Sequence, residues 1–187
     1  MIDRSAAAPA IDAFLRAIGR DPAAETELAE TAERVTDAFV DELCNGYDVD
    51  VPALLRTHTL EQSTEWVVAR DLAVVTVCPH HLLPAVGKAT VAFAPSTKIV
   101  GIGVLGKVVD AFAHRLVLQE TIGEQVTEAL MEQLQPKWAG CLLALRHTCM
   151  MGRGGRKHDA EVETVSIRGS LTSQEKIGIY EMLRRRP

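Results

Sequence analysis

No apolar run in this sequence approaches the roughly eighteen residues needed to cross a bilayer, and no charged stretch followed by an apolar one opens it. Neither a membrane-spanning helix nor a secretory leader is therefore expected, the expected location is cytoplasmic, and no membrane partner is expected. An excess of basic charge is missing too: 20 Lys and Arg stand against 25 Asp and Glu, a net charge of -5. Without a basic field, nucleic acid is not an expected partner. Only four cysteines occur in 187 residues, too few for a disulfide scaffold. Aromatic residues are sparse at 4%, but an apolar fraction of 47% is ordinary for a globular chain, and the length suffices to bury a core.

Two of the four cysteines stand beside histidines. Cys78-Pro79-His80-His81 closes an apolar, β-branched run, and His147-Thr148-Cys149 lies far downstream. Sulfur and imidazole nitrogen are donors that zinc prefers, and a Cys-x-x-His step from a strand end into a loop can put both on one ion. Cys78, His81 and Cys149 would supply three ligands and leave a fourth tetrahedral position for water, the pattern of a catalytic Zn2+. Strand alternation sends His147 and Cys149 to one face, and His80 and His147 are then left to move protons near pH 7. Cys44 and Cys141 sit in apolar surroundings and are read as buried small hydrophobes.

Along the chain, Met1 to Ala10 reads as a frayed end, followed by a helical period in Ile11, Phe14, Leu15 and Ile18 that stops at Gly19. A longer helix is expected over Leu28 to Leu43, stopped by Asn45-Gly46, with Pro52 in a connection. Trp66–Arg70 and Leu72–Val77 are β-rich and lead into the Cys-His-His loop; Val86–Phe93, Ile99–Ile102, Gly140–Cys149 and Val162–Arg168 are further strands. Between them a helix is expected from Lys107, and a second from Ile122 to Leu134, with Thr121 and Glu124 as its capping box. Gln119 and Glu120 would then sit at a helix junction, where side chains can point into a cleft. Thr172 and Glu175 make another capping box before a short closing helix, and Arg184-Arg185-Arg186 is read as a solvated end. Strand pairs without single-helix crossovers argue for an antiparallel sheet with helices on one face, an α+β arrangement.

Over roughly Ile11 to Gly169 the sequence resembles the GTP cyclohydrolase I family. The resemblance is carried by Phe14-Leu15-Arg16-Ala17-Ile18-Gly19-Arg20-Asp21-Pro22, Thr31-Ala32-Glu33-Arg34-Val35, His80-His81-Leu82-Leu83-Pro84, Gly87-Lys88, Gln119-Glu120, His147-Thr148-Cys149-Met150-Met151-Gly152-Arg153-Gly154 and Ile167-Arg168-Gly169. It implies a tunnelling fold: a four-stranded antiparallel sheet with two antiparallel helices on one face, plus N-terminal helices, divided as an N-terminal helical segment 1–60 and a catalytic domain 61–187. It implies Zn2+ on Cys78, His81 and Cys149, His80 and His147 as acid and base, and Gln119 and Glu120 gripping the guanine edge. Water would attack C8 of the purine, open the imidazole ring and release formate, and rearrangement would give 7,8-dihydroneopterin triphosphate. The family also implies a homo-oligomer, a decamer of two stacked pentamers with sites between subunits.

Four positions depart from the family. Pro79 replaces a glutamate, Gly103 and Val104 replace the phosphate-binding Ser and Lys, and Lys107 replaces an Arg, while Arg34 and Arg153 remain. A lost charge-assisted contact costs about 1.5–3 kcal/mol, so the same ring opening on a purine with fewer phosphates or none, a nucleoside, a free base or an 8-oxopurine, stands as an alternative. Two further alternatives are a non-catalytic pterin- or purine-binding homologue and the nitrile reductase branch of the same fold.

Overall fold

The computed structural model describes residues 2–62 and 64–185. The segment expected to fray is instead helical: α1 runs Arg4–Ala17, with Asp3 as its cap accepting from the Ala6 N–H. Alanine is the strongest helix former and a capped end removes an orphan donor, so the Ala-rich stretch needs no apolar period to wind. Arg4 also ion-pairs with Asp37 and Asp41, fastening this end to the next helix. Met1 lies outside the described residues.

The expected long helix is broken. Leu28 belongs to a separate 3-10 turn, Thr26–Leu28. Helix α2 is Thr31–Asp37, and it widens into a π turn over Ala38–Leu43. A 3-10 turn, Asn45–Asp48, follows. Pro52 opens a helix rather than a connection, because α3, Val51–Thr57, is capped by Asp50 and a first-turn proline has no N–H to leave unpaired.

The two β-rich segments before the Cys-His-His loop form one strand, β2 (Val67–Cys78). Its pairing register shifts between Ala69 and Leu72, where Asp71 takes a φ of 53°. Ahead of it lies a short strand that sequence patterning did not single out, β1 (Thr59–Glu61). Strand β3 is Leu83–Ala94. The next strand, β4, is only Lys98–Val100 and pairs antiparallel with β1 in a separate two-stranded sheet. Ile102 therefore starts a helix, not the end of a strand.

Helix α4 spans Ile102–Ala113 and starts five residues before Lys107; Gly103 and Gly106 mask a period that buries Val104, Leu105, Val108 and Val109. Helix α5 spans Gln119–Leu134, with Leu118 at its cap and no side-chain cap bond, so the Thr121–Glu124 box is not used. Burial of Ile122, Val126, Leu130 and Leu134 organises that helix instead.

Strand β5 is Trp138–His147, and a four-residue helical turn, α6 (Thr148–Met151), takes over from it. Strand β6 is Val162–Gly169. Helix α7 is Ser173–Arg184, and there the predicted Thr172–Glu175 capping box is formed. Arg184 is not purely solvated, since it pairs with Glu163 at 3.1 Å; Arg186 and Pro187 lie outside the described residues.

The main sheet has the order β2-β3-β5-β6, antiparallel throughout. Its two faces are buried differently. One face packs Val74, Ala89, Val91, Phe93, Cys141, Leu143 and Leu145 against α3, α4 and α5, and Leu55, Leu105, Val108, Ile122, Leu130 and Leu134 fill that layer. At about 1.5–3 kcal/mol for each large side chain removed from water, this layer dominates the stability. On the other face, Ile179 and Leu183 of α7 cover Ala92, Ala94, Trp138, Leu142 and Ala144, so one helix lies opposite the α4–α5 pair. Cys44 and Cys141 are buried in the manner expected, at 6% and 0% exposure.

Candidate active site

Strands β2 and β3 end and begin at the same place, with Cys78 opposite Leu83 in register. The four residues between them, Pro79 to Leu82, make a tight loop closed by the Leu82 N–H donating to the Cys78 carbonyl at 2.9 Å. Leu82 reaches a φ of 53° to close it. This turn puts Cys78 and His81 on one side of the sheet end. Strand β5 runs beside β3 and brings His147 opposite Ala85. Cys149 is not on that strand, so alternation does not place it. The helical turn of α6 swings its sulfur back, and the Thr148 hydroxyl ties that turn to β3 by donating to the Pro84 carbonyl at 2.6 Å.

The result is a cluster in which one ligand atom each from Cys78, His81 and Cys149 all lie within 4.8 Å of one another. In a tetrahedral zinc site with two sulfurs and one nitrogen these atoms would stand about 3.5–3.8 Å apart. Two thiols and an imidazole are also the donor chemistry that zinc takes, so the residues fit the ion. Both sulfurs are half-buried. Burial pushes the Cys149 thiol up, and the neighbouring Cys78 adds to that, while the charge of Arg153 opposes it. The His80 Nδ1 stands 3.5 Å from the Cys78 sulfur, outside the cluster but against it.

A cavity of about 230 Å³ opens beside the cluster and is lined by Cys78, Cys149, His80, His147, Gln119 and Glu120, with Thr76, Val117, Leu118 and Val162 among its walls. Gln119 is 4% exposed. Its amide nitrogen donates to the carbonyls of Leu143 and Val162, at 3.2 and 2.9 Å. Its oxygen therefore faces His147 Nε2 at 2.8 Å, and because an amide oxygen only accepts, that ring nitrogen carries the proton. The neutral ring is left with Nδ1 as its basic atom. Burial lowers the pKa of His147, and the carboxylate of Glu120 pulls it back up.

The other expected contacts are not brought to this cavity within one protomer. Arg34 is on α2, exposed and paired with Glu30. Lys107 is on α4, and neither lines the cavity. Val104 is 6% exposed and belongs to the core beneath α4, whereas Gly103 faces open space. Sequence reasoning missed Thr76, Thr148 and Arg115. Arg115 donates twice to the Gly46 carbonyl, at 3.1 and 2.9 Å, and so holds the loop before α5 against the Asn45–Asp48 turn. Its position among the helical apolar residues gave no sign of this.

Comparison with known proteins decides among the readings. A family profile described as GTP cyclohydrolase I matches residues 7–183. The chain belongs to the GTP cyclohydrolase I family. It is 39% identical over 160 residues to GTP cyclohydrolase 1 of Leptospira biflexa serovar Patoc, covering 85% of this chain and 86% of that protein. It is 34% identical over 167 residues to GTP cyclohydrolase 1 of Coxiella burnetii, covering 89% and 90% of the two chains. A slighter likeness, with a TM-score of 0.48 and 18% identity over 59% of this chain and 100% of the other, runs to the archaeosine synthase QueF-Like in the apo form and carries no argument. The GTP cyclohydrolase I relatives are hydrolytic enzymes of the purine ring, and neither the binding-only nor the nitrile reductase reading is favoured by them. Among the described residues no helix is long and apolar enough to cross a membrane.

Proposed function

We propose that the protein is a cytoplasmic, zinc-dependent GTP cyclohydrolase I that opens the imidazole ring of GTP and yields formate and 7,8-dihydroneopterin triphosphate. The observation that carries this reading is the meeting of Cys78, His81 and Cys149 beside a cavity that Cys78 and Cys149 line together with the oriented imidazole of His147. Zn2+ held by those three residues supplies the Lewis acidity that makes a water nucleophilic near neutral pH.

The chain's own groups do the rest. The Glu120 carboxylate anchors the flat heterocycle by accepting from its ring N–H and amine. His147 takes and returns a proton at Nδ1, and His80 serves the opposite proton transfer. Arg153, whose charge already reaches Cys149, receives the phosphate end. Arg34 and Lys107 come from neighbouring copies in a homo-oligomer, a decamer by family likeness, with segment 1–60 serving the catalytic domain 61–187.

The test is incubation of the zinc-loaded full chain with GTP. Formate and a fluorescent pterin should appear in equal amounts, matching the GTP consumed. If GTP persists while only unphosphorylated purines lose their ultraviolet band, the assignment fails.

A further inference from the structure

One buried polar side-chain atom in the wall of the cavity has no hydrogen-bond partner among the described residues. Thr76 lies on β2 two residues before Cys78, so the two side chains share a face of the strand. It is 2% exposed, and its hydroxyl has no hydrogen-bond partner among the described residues. More than nine in ten buried polar groups are paired, and an unpaired one costs about 1–3 kcal/mol. The strand around it reads Val74-Val75-Thr76-Val77, and a fourth valine would fit the same backbone without that cost. In the same cavity the Gln119 amide is already engaged, with two carbonyls and His147. Val117, Leu118 and Val162 add apolar surface to the same cavity.

We infer that Thr76 is a contact for the bound heterocycle. Its hydroxyl, which can both donate and accept, meets a polar heteroatom of the purine after at most one rotation about χ1. The inference rests on the purine reading above and adds to it a specificity-determining residue that the Cys-His motifs do not contain.

The test compares zinc-loaded wild type with Thr76→Val and Thr76→Ser. Binding is measured calorimetrically with a GTP analogue carrying carbon in place of N7, which lacks the amidine to be opened, and kcat and KM are measured with GTP. Thr76→Val should keep its zinc content and melt no lower than wild type. It should bind the analogue about tenfold more weakly, the effect of one lost hydrogen bond, with KM raised more than kcat is lowered. Thr76→Ser should recover most of that binding. Analogue binding by Thr76→Val within twofold of wild type overturns the contact alone. A lower melting temperature for Thr76→Val also overturns it, because the hydroxyl would then have an internal partner. A wild type that binds no GTP analogue and turns over no GTP overturns the purine reading and the contact with it.

Discussion

Gln119 accepts a hydrogen bond from Nε2 of His147 at 2.8 Å while the rest of its amide is held by two backbone carbonyls. Family likeness implies that this side chain grips guanine, but its donors are already taken inside the protein. Its evident work is to fix the tautomer and direction of the imidazole. Gln119→Leu would remove two donations to strand carbonyls and leave the His147 N–H without its acceptor, costing about 1–3 kcal/mol of stability for a buried unsatisfied group. A loosened imidazole should lower kcat on the order of 10²-fold. Urea unfolding and steady-state kinetics with GTP check both. If Gln119 serves only to hold guanine, KM rises and the unfolding midpoint stays where it was.

The cluster of Cys78, His81 and Cys149 gives a second expectation. The Cys149 thiol is pushed up by burial and by Cys78 beside it, so at neutral pH it is protonated until a metal displaces the proton. Zinc titrated into metal-free protein should release about one proton or more per ion, and affinity should fall as pH falls. Calorimetry in buffers of different ionisation enthalpy measures the release directly. Heats that do not change with buffer would contradict thiolate ligation. Cys149→Ala should lose both the metal and the turnover.

How much of this could be read from the chain depends on the kind of constraint. Cys78 and His81 were legible because a four-residue hairpin loop is local, and Cys-x-x-His within it has few other uses. Cys149 was legible as a member of the cluster but not in its placement. Nothing in His147-Thr148-Cys149 announces that the strand stops at His147 and a helical turn begins. The start of α4 was hidden by Gly103 and Gly106, whose low helix propensity outweighs the eye's count of buried valines. Thr76 was hidden for the opposite reason, since a β-branched residue inside a valine run looks like strand filler. The role of Gln119 was out of reach, because its partners lie 24 to 43 residues away on two other strands.

The four thiols divide cleanly. Cys141 is fully buried and its thiol is pushed up to about 12, and burial also raises Cys44. Both are buried away from a reagent, whereas Cys78 and Cys149 are only half-buried, so neither Cys44 nor Cys141 should react in the native protein. A disulfide reagent added to folded, chelator-treated protein should modify Cys78 and Cys149 only. Zinc should protect both, and denaturant should expose all four. Rapid labelling of Cys141 in native protein would mean that the layer between β5 and α5 opens far more readily than its packing implies.

The loop that delivers Gln119 and Glu120 is held from the N-terminal side, and this gives the last expectation. The Gly46 N–H donates to the His114 carbonyl at 3.0 Å, its own carbonyl receives Arg115, and the Tyr47 hydroxyl accepts from the Leu116 N–H at 3.0 Å. Leu116 in turn bridges to Val77, next to Cys78. A Cβ at Gly46 would stand 2.4 Å from the Ala111 carbonyl oxygen and 2.7 Å from that of His114, and both are backbone atoms that cannot turn aside. Gly46→Ala should therefore cost about 1–3 kcal/mol by overpacking. It should also lower kcat, because the displaced 114–118 loop carries the start of α5. Gly103→Ala is the matched control: nothing lies within 4 Å of its Cβ, and alanine favours the helix. Its melting temperature should equal or exceed that of wild type. Equal melting temperatures for wild type and Gly46→Ala would mean that the junction yields at little cost and does not hold the loop.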